Sequence, residues 1–231
     1  MQIKHNNIMV NSILELRNKT QQLISNDRIM KSALPDYKDL LPEVVTQRKN
    51  KFLSDVTEAT KHELDRIKFE TTLKADKLKA EINKAKYKLE NAVFPDDLQI
   101  QTVKLRAENL ARQKLDSNIL IYLDKAFQSN ETDFLYSFLD AVKLNTDVSN
   151  DLRIDINNKY ADYEKKTGIA KMNLELQLAN KFSEQIDSYI KIAEDPNPDN
   201  KLMLIYSDQE IKNLEDQINN LEMTYHYKDN L

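Results

Sequence analysis

The sequence predicts an all-α protein: an elongated antiparallel helical bundle of long, coiled-coil-like helices with short helices at the ends. Three observations carry this expectation. The chain holds one Gly, Gly168, among 231 residues. Sheet-containing folds of this length turn tightly many times, and tight turns use Gly. Residues 43–94 contain neither Gly nor Pro and keep a helical repeat throughout. Charged residues make up 31% of the chain and mean hydropathy is −0.67, as expected of helices with wide solvated faces.

The chain divides into residues 1–42, 43–194 and 195–231. The first part is a helix with a Pro-bounded connection. The second is the long-helix bundle, with helices over about 43–94, 97–128, 131–144 and 151–194. The third is a linker followed by a short heptad helix.

Asn7 to Ser25 forms the first helix, with Ile8, Ile13, Leu16, Leu23 and Ile24 on its apolar side. Asn26-Asp27 is a break, with a further turn over Arg28–Leu34. Pro42 and Glu43 then start the central rod, Pro in the first turn and an acid near the positive end. Its stripe runs Leu53, Val56, Thr60, Leu64, Ile67, Thr71, Ala75, Leu78, Ile82, Ala85, Leu89, Ala92. Those steps of three and four give a period near 3.6, and the rod is roughly 75 Å long. Small and polar members at Thr60, Thr71, Ala75, Ala85 and Ala92 make the seam too weak for a self-sufficient zipper. Opposite charges at helical spacing flank it: Glu58–Lys61, Glu63–Arg66, Glu70–Lys74, Lys77–Glu81, Lys86–Glu90.

Pro95 stops the rod, and a helix over about 97–128 folds back along it. Ser129–Thr132 is a polar break. The helix over 131–144 is the most aromatic, with Phe134, Leu135, Phe138, Leu139 and Val142 on one side. This is either core or a docking surface for a partner, with Phe134 and Phe138 at its centre. A second long helix spans 151–194. Gly168 inside it marks a bend, a close helix crossing or a true break. Asp195–Asn200, with Pro196 and Pro198, is the clearest linker. Lys201 to Tyr206 is an irregular or strand-like apolar segment, and Ser207-Asp-Gln-Glu210 has capping-box form. The last helix carries Ile211, Leu214, Ile218, Leu221 and Tyr225 at steps of 3, 4, 3, 4. This heptad face docks on its own bundle or makes an intersubunit contact.

Candidate chemistry is sparse. There is no Cys, so thiolate nucleophiles, thiolate metal sites and disulfides are excluded. His5, His62 and His226 are far apart, and Glu58 with His62 has no second pair of the kind a helical di-metal site needs. Asp195, Asn197 and Asp199 mimic the start of a calcium loop but lack its Gly and its closing Glu. One Gly excludes phosphate-cradling loops of the P-loop and Rossmann kinds. No cofactor, metal or small-molecule substrate is expected, and no catalytic residue is assigned.

Net charge is −4. The first half of the chain is basic and the second acidic, a polarity suited to antiparallel packing or to head-to-tail contacts between copies. Lys74, Lys77, Lys79, Lys84, Lys86 and Lys88 crowd one end of the rod. They offer either a solvated face or a contact for nucleic acid. No segment has the apolar length of a transmembrane helix, and residues 1–30 lack the apolar core of a signal peptide. The expected location is therefore the cytoplasm or a virion.

The expected function is non-enzymatic: a structural or scaffold protein acting through helix-mediated contacts, forming a homo-oligomer or part of a larger assembly such as a virion or phage connector. The first alternative is a nucleic-acid-associated protein using the lysine face. The second is a monomeric adaptor docking through Phe134–Val142.

Overall fold

The computed structural model describes residues 8–33, 35, 40–87, 97–195 and 198–228, and among them every regular element is an α-helix. The elements are α1 (Ile8–Ser32), α2 (Pro42–Tyr87), α3 (Asp97–Ala111), α4 (Asn118–Gln128), α5 (Thr132–Leu144), α6 (Asn150–Thr167), α7 (Ile169–Glu194) and α8 (Pro198–Lys228). None of them is long and apolar enough to cross a membrane. The helices pack as bundles in two compact units. One comprises Leu78–Asn173; the other combines the described residues up to Lys77 with those from Leu174 onward. This partition crosses the expected 43–194 bundle, because both α2 and α7 contribute residues to each unit.

The unit built on α1, the first part of α2, most of α7 and α8 is a four-helix arrangement. Its core draws Ile13 and Leu16 from α1, Leu64 from α2, Phe182 and Ile186 from α7 and Ile211 from α8. The rod's stripe behaves as its period requires: Val56, Thr60, Leu64, Ile67, Thr71, Ala75, Leu78 and Ile82 are all buried. Its polar members are satisfied, one within the helix and one across to α1. The Thr71 hydroxyl donates to the Ile67 carbonyl at 2.9 Å, and that of Thr60 donates to Asp27 at 2.9 Å. Lys61 bridges Glu194 at 2.6 Å and Lys68 bridges Asp187 at 2.5 Å. Seven residues separate the two pairs on both helices, which sets α2 and α7 antiparallel. Glu63–Arg66 and Glu70–Lys74 pair along the helix as expected. Lys61 does not pair with Glu58, because a tertiary carboxylate is closer.

Four expected boundaries are corrected. Asn26-Asp27 does not break α1. The Asp27 carboxylate accepts from Thr60 and pairs with Lys31 at 3.1 Å, so it is engaged across the fold and does not compete for local backbone. The returning helix is two helices, not one. Asp116 accepts from the Asn118 backbone N–H at 2.9 Å, a local turn that starts α4, while the Asn145 amide donates to the Ala111 carbonyl at the end of α3. The second long helix is also two, divided at Gly168, which adopts φ +81° and ψ −2°. The break is the reading that holds, and α7 begins at the next residue. Lys201–Tyr206 is helical, continuous from Pro198 at the first position of α8. Ser207 is consequently mid-helix and donates to the Leu204 carbonyl at 3.0 Å. The end of the rod beyond Tyr87, with Leu89 and Ala92, lies outside the described residues.

In the Leu78–Asn173 unit, α3 lies against α5, and α4 packs on α5 and α6. The expected break after α5 is present. Ser149 caps α6 by accepting from the Leu152 N–H at 3.3 Å. Arg153 donates to the carbonyls of Val142, Asn145 and Val148. One guanidinium thereby satisfies carbonyls that the end of α5 and the turn leave open.

Candidate functional site

The aromatic face of α5 points inward. Phe134 and Phe138 are buried at the centre of the Leu78–Asn173 unit, so neither stands on a docking surface. Phe134 stacks on Phe138 at 6.2 Å and meets Tyr122 edge-on at 5.7 Å; Phe127 lies 4.7 Å from Tyr163. The tyrosine hydroxyls of this core find partners as burial demands. Tyr136 donates to Glu164 at 3.1 Å, Tyr160 to the Leu135 carbonyl and Tyr163 to Asn130 at 2.8 Å. Burial pushes the pKa values of Tyr136, Tyr160 and Tyr163 upward. Tyr87, at the edge of the cluster, is pushed up to about 12 by burial and by its bond to Asp140. These hydroxyls stay neutral and hold structure.

The lysine run does not form one stripe. At about 100° per residue, Lys77 and Lys84 fall on one side of α2, while Lys79 and Lys86 fall nearly opposite. Glu81 sits between Lys77 and Lys84, four residues from one and three from the other. Lys74 pairs with Glu70 at 3.7 Å. Lys86 is half-buried, 3.2 Å from Glu164 and 4.8 Å from the centre of the Tyr136 ring. Lys88 lies outside the described residues. The run is therefore split between two sides of α2, with Glu70 and Glu81 among the lysines of one side and Glu164 against Lys86 on the other.

A groove of about 780 Å³ opens between α3 and α5, over Val103 and Ala141, with Lys104, Glu108, Arg112, Asp140 and Asp147 around it. Arg112 pairs with Glu108 at 3.5 Å, and Asp140 accepts from Tyr87 and Lys143. Arg112 and Glu108 thus neutralise each other within it. Among the described residues no three His, Asp or Glu side chains converge on a metal position. Of the calcium-like trio, Asp199 is in the first turn of α8 and Asn197 lies outside the described residues.

Helix α8 carries the most distinctive surface. Its heptad residues face its own unit: Ile211 and Ile218 are buried with Leu204, and Leu214 packs against the same core. Leu221 is half-buried, and the side chain of Tyr225 is not among those described. Docking is fixed by a polar junction. Arg17 forks to Asp208 at 3.0 Å and to Glu215 at 2.7 Å. Gln185, fully buried, donates to Asp208 at 2.7 Å.

The opposite side of the same helix is apolar at its beginning. Leu202, Met203, Ile205 and Tyr206 are exposed at 53%, 57%, 64% and 73%. Leu202, Ile205, Tyr206, Gln209 and Asn213 recur at i, i+3, i+4, i+7 and i+11, all exposed and none charged. Met and Tyr enrichment and depletion of charge mark the centres of protein interfaces. A large aliphatic side chain corresponds to roughly 100 Å² of apolar surface, so the four chains present on the order of 300 Å². Sequence reasoning missed this face because it read Lys201–Tyr206 as non-helical. The signal was available: Leu204, Ile211 and Ile218 are spaced by seven, which extends the heptad backward and sends Leu202 and Tyr206 to the other side.

Neither a protein-family model, nor a curated protein, nor a solved structure matches the chain.

Proposed function

We propose that the protein is a non-enzymatic structural component that works through helix-mediated contacts with other protein subunits. The observation that carries this reading is the outward row of α8, apolar over Leu202–Tyr206, on a helix whose other face is already committed to its own core. Solvation of four neighbouring large apolar side chains is unfavourable, and coverage by protein removes that cost. The aromatic side of α5, by contrast, is taken up by packing within the unit.

The native mass tests the reading. Cross-linking and light scattering on the full chain, both purified and in the undiluted extract of its source, are expected to give a species larger than the 27.0 kDa chain. A 27.0 kDa species in both settings would refute it.

A further inference from the structure

We infer that the partner of the α8 outward face is a second copy of this chain, the two α8 helices crossing about a two-fold axis with Tyr206 of each copy over Leu202 of the other. The inference rests on the contact reading above and names its partner.

Area and charge argue for a second copy. One face offers on the order of 300 Å² of apolar surface, so two facing copies remove roughly 600 Å² from water. Interfaces are about 57% apolar, so the whole contact reaches on the order of 1,000 Å². That is the floor for a specific interface and below the ~1,600 Å² of a standard one, which fits a reversible dimer. A foreign partner would have to bring the matching apolar half. In a two-fold contact the same residues supply both halves.

Charge permits this pairing. In a chain with 31% charged residues, the row Leu202, Ile205, Tyr206, Gln209, Asn213 carries none. The exposed charges that flank it, Lys201, Glu210 and Lys212, are of mixed sign, so two copies can approach along the row without a like-charge field. The outward side of α2, with Lys77 and Lys84, does not allow this as readily. The Gln209 side chain donates to Asn213 at 3.0 Å, so the polar end of the row makes one of its hydrogen bonds within the helix.

Sedimentation equilibrium of the full chain from about 5 µM to about 500 µM is the test. The weight-average mass is expected to rise from 27.0 kDa toward twice that value. Ile205→Asp and Tyr206→Asp alter exposed positions, so helicity and melting should hold while dimerisation weakens at least ~10-fold. Ile29→Asp, at an exposed position on α1, should dimerise as the unmodified chain does. The chain has no Cys, so a mixture of Leu202→Cys and Tyr206→Cys copies should yield an oxidised heterodimer in excess over either homodimer.

Association that persists unchanged in both Asp variants overturns this inference and leaves the contact reading standing on another face. A chain that stays at 27.0 kDa across the range overturns it too, and then the contact reading survives only if the extract shows a larger species.

Discussion

Replacing Gly168 by Ala tests the break between α6 and α7 through the sign of its effect. Gly168 sits at φ +81°, and a Cβ built there meets nothing within 4 Å. Sterics with neighbours therefore contribute nothing, and the cost is that of the backbone alone. An L-residue in the left-handed region loses roughly 1–2 kcal/mol. Restriction of the unfolded chain returns about 0.4–1 kcal/mol. The expected net is a destabilisation of about 1 kcal/mol. A continuous helix through 168 would give the opposite result, because Ala gains about 1 kcal/mol over Gly inside a helix. Urea denaturation followed by helical circular dichroism separates the two. With a slope of ~1–3 kcal/mol per M, the midpoint should fall by roughly 0.3–1 M in the Ala variant. Gly168→Asn should cost less, since Asn enters the left-handed region more readily. A D-alanine introduced at 168 by semisynthesis should stabilise. A raised midpoint for Gly168→Ala would refute the break, and a loss above ~3 kcal/mol would show a crowded site.

The aromatic core supplies a contrast: Phe138→Ala, at 0% exposure, should cost about 3–5 kcal/mol in urea denaturation. Leu144→Ser, at 84% exposure on the same helix, should stay within ~0.5 kcal/mol. Arg17→Met should destabilise by about 1–2 kcal/mol, less at high salt, because it removes the cation that Asp208 and Glu215 share in a partly exposed junction. Pairing it with Glu215→Gln should give a non-additive cycle, and strict additivity would show that the two side chains are uncoupled. Folding raises the Tyr87 pKa, so the contribution of its hydroxyl is complete below ~10, where both states hold the proton. It is lost as pH climbs through about 12. The tyrosinate absorbance difference between the unmodified chain and Tyr87→Phe should have its midpoint near 12; a midpoint at the ordinary ~10 would contradict the partial burial of Tyr87 and its bond to Asp140.

Helix existence was legible, and helix ends were not. The stripe from Val56 to Ile82 follows directly from apolar spacing, and it is buried as spaced. Asp27 looked like a stop because short polar side chains compete for local backbone. Its carboxylate is instead held by Thr60 of α2, a partner 33 residues away. Lys61 and Lys86 likewise looked like members of pairs along the rod, yet they find Glu194 and Glu164. On α8, an apolar run too short to show its period was read as irregular, and this hid the candidate surface.

By itself the sequence determined the class: one Gly, long unbroken repeats and scattered charge leave room for helices and little else. It also determined which stripe of α2 is buried, because helical periodicity acts within a few turns. Only the tertiary structure decided which aromatic side chains become core and which apolar ones remain outside. Phe134 and Leu202 carry the same local signal of an apolar residue on an amphipathic helix. Phe134 is enclosed by Tyr122 and Phe138, while Leu202 faces away from the core that takes Leu204. Burial depends on what the rest of the chain brings to each face, and that information lies in contacts between segments distant in sequence.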